Sequence, residues 1–300
     1  MLKPSCQIKW FLIITIFGLL GMLNLSSCSK ILDEVGQEDI QLPTSAAKNI
    51  KDLISYFEVV ELINSTHSSS GINRVNFDSL ERKINCQLEI IDSLISDGDG
   101  YQYKVIFPKK TKIDASNQNY DGQARFGTFL VDLNFNYREL NAQSTVTIDS
   151  NDQCFIGKSD GELTQIWGSV KFQRFVTNKI NFSFNQVYFS RKNLIHQLTG
   201  SFDLIWLAGE TSDGIENDNI AFSGSGTGVY INESYRWKTN LAIEKNYEFG
   251  CESNLIKGIL QIEPTSNDKV FKIDFDPFNN KSCDSIIKIY ILGKEYEVNI

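Results

Sequence analysis

From about Ile84 to Ile300 the apolar side chains recur at every second position, and that period of two decides the fold class. Phe129, Val131, Leu133 and Phe135 alternate with Leu130, Asp132, Asn134 and Asn136. Successive strand side chains point to opposite faces, so such a segment buries one face and leaves the other in water. Val146 and Ile148 sit among threonines in the same way, Ile180, Phe182 and Phe184 alternate with Asn181, Ser183 and Asn185, and Phe271, Ile273 and Phe275 face away from Lys272, Asp274 and Asp276. Val187 and Phe189 continue one step out of phase, which predicts a bulge or turn at Asn185-Gln186. Ile287, Ile289 and Ile291, a tight turn near Gly293, then Tyr296, Val298 and Ile300 spell a closing hairpin. The predicted class is all-β: an antiparallel meander forming a sandwich or a strongly curved sheet, with one N-terminal helix.

That helix is expected over 43–64, where Thr44 and Ser45 can cap it and Ile50, Leu53, Ile54, Phe57, Val60, Leu62 and Ile63 form one apolar stripe. Ser65 to Gly71 reads as a loop. His67 beside Ser68, Ser69 and Ser70 has no positioned acid or oxyanion donor, so it is read as a solvated loop histidine. Glycines preceding apolar stretches at Gly127, Gly168, Gly200, Gly228 and Gly258 suggest a weak repeat, the last four spaced for one hairpin per unit. The residues between them do not match.

The N-terminus has a different character. Lys3 and Lys9 precede an apolar run from Trp10 to Leu25, short for a membrane span and of the length of a secretory signal. Leu25-Ser26-Ser27-Cys28 follows and resembles the lipobox of bacterial lipoproteins. The resemblance implies cleavage before Cys28 and diacylation of its thiol. Two acyl chains suffice for stable anchoring without a basic patch. Loss of both lysines leaves the mature chain with 27 basic and 37 acidic side chains, a formal −10. The expected organisation is a signal peptide at 1–27, an acidic tether at 28–43, the helix and loop at 44–70 and a single β-rich domain at 71–300. Acids at Asp33, Glu34, Glu38 and Asp39 resemble the surface-export signal of Bacteroidota lipoproteins but begin five residues after Cys28. They leave the periplasmic and surface faces of the outer membrane both open.

Four cysteines remain in this oxidising compartment: Cys86, Cys154, Cys251 and Cys283. Their spacing has no C-x-x-C pair for zinc or redox chemistry. Of the three possible pairings, Cys251 with Cys283 is favoured, because both lie in the C-terminal run of strands. Cys86 and Cys154 are then either the second pair or buried free thiols.

Charge and motif content close several function classes. A formal −8 is the wrong sign for phosphate neutralisation, so nucleic acid is not an expected partner. Two histidines cannot build a His-rich metal cluster, and neither a metal site nor a cofactor is expected. Ser96-Asp97-Gly98-Asp99-Gly100 lacks the closing Glu of a calcium loop and reads as a hairpin turn. Gly224-Ser225-Gly226-Thr227-Gly228 lacks the Lys of a phosphate loop and reads as a small-residue strand or bulge. Asp274, Asp276 and Asp284 read as a solvated polar face rather than a cation site. No catalytic residues are assigned and no enzyme is expected. Among the aromatics Trp206 is expected in the core, whereas Trp237, between Arg236 and Lys238 and near Tyr235, is the one expected at the surface, and with Tyr235 it is the candidate for a ligand platform.

The C-terminal stretch carries a resemblance. Cys251 with Ile256-Lys257-Gly258, then Phe271-Lys272-Ile273-Asp274-Phe275, Cys283-Asp284 and the closing Ile291 to Val298 resemble the ending of a family of uncharacterised Bacteroidota cell-envelope lipoproteins. Asp121-Gly122 with Arg125 and Gly127 is similar to that family's central segment. The sequence departs from it at Pro277 to Asn280 and in having no cysteine close before Asp121. The resemblance implies lipidation, the β fold and the Cys251–Cys283 pair, and it brings no activity with it. The expectation is therefore a membrane-anchored envelope lipoprotein with a structural or protein-binding role, or else a glycan-binding surface lipoprotein.

Overall fold

A computed structural model describes residues 37–64, 67–68, 71–72, 86–92, 100–108, 123–134, 140–152, 154–157, 163–209, 218–247, 254–281 and 283–300. The chain divides into two compact units, Met1–Leu42 and Pro43–Ile300. Helix α1 (Gln37–Asn64) runs across their boundary. It begins before the expected start at Pro43, so the tether ends earlier than the sequence implied: a single proline removes one helical hydrogen bond, which the buried turns beyond it outweigh. Everything below concerns the second unit.

After α1 the short strands β1 (His67–Ser68) and β2 (Gly71–Ile72) pair with each other, so the predicted loop is a small hairpin. Among the described residues the remaining strands form one antiparallel sheet of fourteen. It comprises β3 (Gln87–Asp92), β4 (Tyr101–Phe107), β5 (Ala124–Leu133), β6 (Gln143–Ile148), β7 (Cys154–Gly157), β8 (Leu163–Val176), β9 (Lys179–Arg191), β10 (Leu194–Ala208), β11 (Asn219–Tyr230), β12 (Glu233–Asn246), β13 (Leu255–Pro264), β14 (Phe271–Asp274), β15 (Ile286–Ile291) and β16 (Lys294–Asn299). Neighbours in sequence are neighbours in the sheet, save that β7 pairs with β5 and β8 beside β6. This is the meander expected, with one curved sheet in place of two stacked ones.

The curvature is visible in what α1 touches. A helix lying on a flat sheet would bury one stripe, yet Leu53, Ile54, Ser55 and Tyr56, four consecutive residues spanning more than a turn, are all buried. Ser45 reaches His196 on β10 at 3.2 Å, the Tyr56 hydroxyl donates to the Phe155 carbonyl on β7 at 3.0 Å, and Lys245 on β12 pairs with Glu58. Lys51 donates to the carbonyl of Ile300, just past β16. Strands far apart in the sheet therefore meet one helix, and the sheet wraps round it. The single apolar stripe expected for α1 is corrected accordingly: Asn49, Lys51, Ser55 and Glu58 are buried as well. Ser45 lies inside the helix and does not cap it.

Inner and outer faces follow the alternation. Phe182 stacks on Phe202 (ring centroids 5.3 Å apart), and Trp237 lies over Phe202 (4.8 Å) and Phe184 (6.1 Å). Outside are Asn181 and Ser183 on β9, Ser201 and Asp203 on β10, Ser223, Ser225 and Thr227 on β11, and Arg236 and Lys238 on β12. The predicted slip in β9 is a bulge: Gln186 has φ 60°, opposite Gly168 (φ 131°), where the register shifts between Trp167 and Ser169. Gly228 breaks the repeat, since its φ is not positive and it lies beneath the Tyr235 ring. The closing hairpin turns at Leu292 and Gly293, both with positive φ (49° and 77°), the backbone of a type I′ turn.

Candidate functional site

Two of the expected site residues, Cys28 and Cys251, lie outside the described residues, as do Phe135 and most of the Ser96 to Gly100 turn. No disulfide joins two described cysteines. Cys86 and Cys154 are buried thiols outside any disulfide, and Cys283 is disulfide-bonded to a partner outside the described set. Cys154 sits 2.9 Å from the Tyr56 hydroxyl, and burial pushes its thiol up to about 12. A thiol so held is a packing group and not a nucleophile.

The proposed platform is corrected. Trp237 and Tyr235 are each 1% exposed. Arg236 and Lys238 take the outer phase of β12, which forces their neighbours inward, and the small residues Gly200, Gly226 and Gly228 leave space there for the two rings. Tyr235 instead meets the Nε2 of His196, whose Nδ1 lies 3.2 Å from Ser45 Oγ. Burial lowers His196 to about 3, so the imidazole is neutral and links α1 to β10 and β12. Trp206 is buried, as expected.

The acids near the C-terminus serve turns. Asp276 Oδ1 accepts the amides of Asn280 and Lys281, Asp274 Oδ1 accepts that of Asp276, and Asp284 Oδ1 accepts that of Ile286. Among the described residues no three His, Cys, Asp or Glu side chains are grouped to hold a metal ion.

The sequence did not reveal the cleft that runs along α1. It has a volume of about 270 Å³ and is lined by Lys48, Lys51 and Asp52 of α1, with Thr164, Arg191 and the Asn299–Ile300 end among the strand residues facing them. The three helix residues fall at i, i+3 and i+4, one face of the helix. Arg191, at the end of β9, donates through Nη2 to Asp52 Oδ2 at 3.0 Å and to Thr164 Oγ1 at 2.6 Å, with a longer bond of 3.4 Å to Asn49 Oδ1. Desolvation raises the Asp52 carboxyl, opposed by the charges of Arg191 and Lys51. Lys51 donates to Asn254 Oδ1 and to the Ile300 carbonyl, both at 3.2 Å. Asn254 in turn donates to the carbonyl of Cys283 at 2.9 Å, so the disulfide-bearing segment supports the cleft wall. These residues lie as much as 249 positions apart, and α1 carries other polar side chains as well, Asn49, Ser55 and Glu58 among them, so no local pattern in the sequence singles them out.

A second cavity, between Leu53, Tyr56 and Val60 and the inner face of β6, β8 and β9, holds about 20 Å³. That is room for roughly one water in an apolar lining, a packing gap. On the outer face Trp167 and Tyr188 stack across β8 and β9, centroids 5.3 Å apart and planes within 7°, both half-buried. Comparison with protein-family models, with curated proteins and with solved structures finds no match to this chain.

Proposed function

We propose that this chain is a lipoprotein of the bacterial outer membrane, held by acyl chains on Cys28, whose helix-filled β body serves a structural or protein-binding role. The observation that carries it is Leu25-Ser26-Ser27-Cys28 directly behind a charged and then apolar N-terminus. The polar side chains along the middle of the outer face of β9 to β12, from Asn181 and Ser183 to Arg236 and Lys238, support it, because groups of that kind favour water over lipid and call for a separate anchor at the membrane. Among the described residues no helix is long and apolar enough to cross a membrane. A binding role rather than a catalytic one is supported by the work of the buried groups: His196, Tyr56, Cys154 and Asp52 are each taken up in contacts that fasten α1 to strands. Cys28→Ala is the test. It is expected to release the protein from the membrane fraction or to leave the precursor unprocessed; a processed form that stays membrane-bound defeats the reading.

Glycan binding at the outer face is the second reading, and Trp167 with Tyr188 favours it over the buried Trp237. Their stacked rings are flanked by the exposed amides of Asn185 and Gln186, a combination suited to the faces and hydroxyls of a sugar. Binding to a glycan array that survives Trp237→Phe and is abolished by Trp167→Ala is the expected result for it.

A further inference from the structure

We infer that the hairpin tips at the end of the sheet where the chain enters this unit dip into the bilayer surface, through Leu194, Ile195, Ile231, Val270 and Leu292. In a meander alternate turns share one end, so the β9–β10, β11–β12, β13–β14 and β15–β16 turns lie together. Each of them carries an exposed aliphatic side chain at its tip or next to it, with Ile231 49% and Leu292 72% exposed. The β10–β11 ladder reaches His196 opposite Tyr230, and Ile195 and Ile231 follow one step nearer the tips.

Two of these residues stand against the preference of the backbone. Ile231 has φ 47° and Leu292 φ 49°, each as the first residue of a two-residue turn that Asn, Asp and Gly fit best. A β-branched side chain is rare in that region, and Ile231 recovers nothing by burial within the fold. Strain combined with apolar exposure points to a contact outside the chain. Position identifies that contact as lipid. Ser45, the third residue of this unit, meets His196 at 3.2 Å, two residues from Leu194, so the chain enters beside these tips. Cys28 lies fifteen residues before Pro43, a reach of at most about 54 Å. Strand β10 alone has fifteen residues, about 50 Å of strand. An anchor at Cys28 therefore lets this end rest on a bilayer with slack in the tether, and the far end only with none. The apolar layer is shallow as well: Gln197, Ser234 and Arg236 follow within a few residues, and two or three residues of strand span roughly 7–10 Å, the depth to which interfacial apolar groups enter the headgroup boundary. The far end supplies the contrast, since Phe175 and Val176 are exposed at the β8–β9 turn without positive φ.

The contact rests on the anchor at Cys28, and one sample tests the two separately. Full-length protein carrying a polarity-sensitive dye on Ile231→Cys, Leu292→Cys or Phe175→Cys is reconstituted into phosphatidylcholine vesicles, with unsubstituted protein as the labelling blank. Emission at the first two positions is expected to lie to the blue of that at Phe175→Cys, and iodide quenching there to be severalfold lower. Ile231→Asn, which suits the turn, should leave Tm unchanged or raise it while making the Leu292→Cys dye more accessible to iodide. Mass analysis of the N-terminal peptide reads acylation of Cys28 in the same sample, so shielded tips on an unacylated chain defeat the anchor and keep the contact. Tips that stay as accessible as Phe175→Cys or more so, or a fall in Tm for Ile231→Asn, each overturns the proposal. So does the same difference between positions in protein without lipid, which marks pairing of two copies through these tips.

Discussion

Replacing Gly226 by alanine tests how Trp237 is seated. Gly226 lies on the inner phase of β11, paired with Gly200 of β10 and with Trp237 of β12. A methyl group there would come 2.7 Å from the Cα of Gly200 and 2.8 Å from Cε2 of Trp237, and closer still to the carbonyl oxygen of Thr199. The indole can tilt, but the carbonyl cannot withdraw without breaking the β10–β11 ladder. Overpacking a core costs about 1–3 kcal/mol, and a ladder hydrogen bond lost adds about 1 kcal/mol, so a loss of about 2–4 kcal/mol is expected. For a body of this size that corresponds to a fall in Tm of roughly 4–16 °C. Urea unfolding followed by far-UV circular dichroism measures it. Gly228→Ala gives the internal comparison: all three of its nearest contacts are atoms of the Tyr235 ring, so its cost should shrink sharply in a Tyr235→Leu background. The Gly226→Ala cost should survive Trp237→Leu, since the Thr199 contact remains. A loss below about 1 kcal/mol for Gly226→Ala would refute the close approach of β10 to β11 that forms the glycine floor beneath Trp237.

Other outcomes are equally checkable. His196 is held near 3, below its unfolded value of about 6.5, so the unfolded chain binds the extra proton first and stability is present above about pH 6.5 and lost as pH falls towards 3. The slope should approach 1.4 kcal/mol per pH unit in that window, and His196→Asn should flatten it; an equal slope in the variant excludes this histidine as the cause. Cys154 should resist iodoacetamide in the native protein and react only in denaturant, so rapid native labelling would contradict its burial. Non-reducing peptide mapping should join Cys283 to Cys251 across a loop of about 30 residues, which restricts the unfolded chain by roughly 3–4 kcal/mol in the entropic model. Cys283 found on any other cysteine defeats that pairing.

The strands were legible because their signal is local. Phe182 and Phe184 against Asn181 and Ser183 specify a face with no reference to the rest of the chain, and the phase slip at Asn185-Gln186 marked a bulge for the same reason. The buried state of Trp206 followed from its apolar neighbours. Trp237 shows the limit of that reasoning: Arg236 and Lys238 beside it suggested exposure, although in a strand charged neighbours on both sides are what places the middle residue inside. Strict alternation would have corrected the expectation, and the glycines at 226 and 228 on the paired strand, which make room for the rings, were a signal that only the register explains.

By itself the sequence determined the class of fold, the closing hairpin and the order of charge, apolar run and cysteine at the N-terminus, all of which depend on residues within a few positions of one another. Only the tertiary structure decided that the sheet wraps round α1, because curvature accumulates from bulges and twist over many strands and no short window contains it. Enclosure then decided the site. On a one-sided helix Lys48, Lys51 and Asp52 would face water, whereas wrapped by strands they meet Arg191, Thr164 and the Ile300 end and line a cleft. Charges far apart along a chain act together only when backbone geometry sets their distance, and that distance is a property of the fold as a whole.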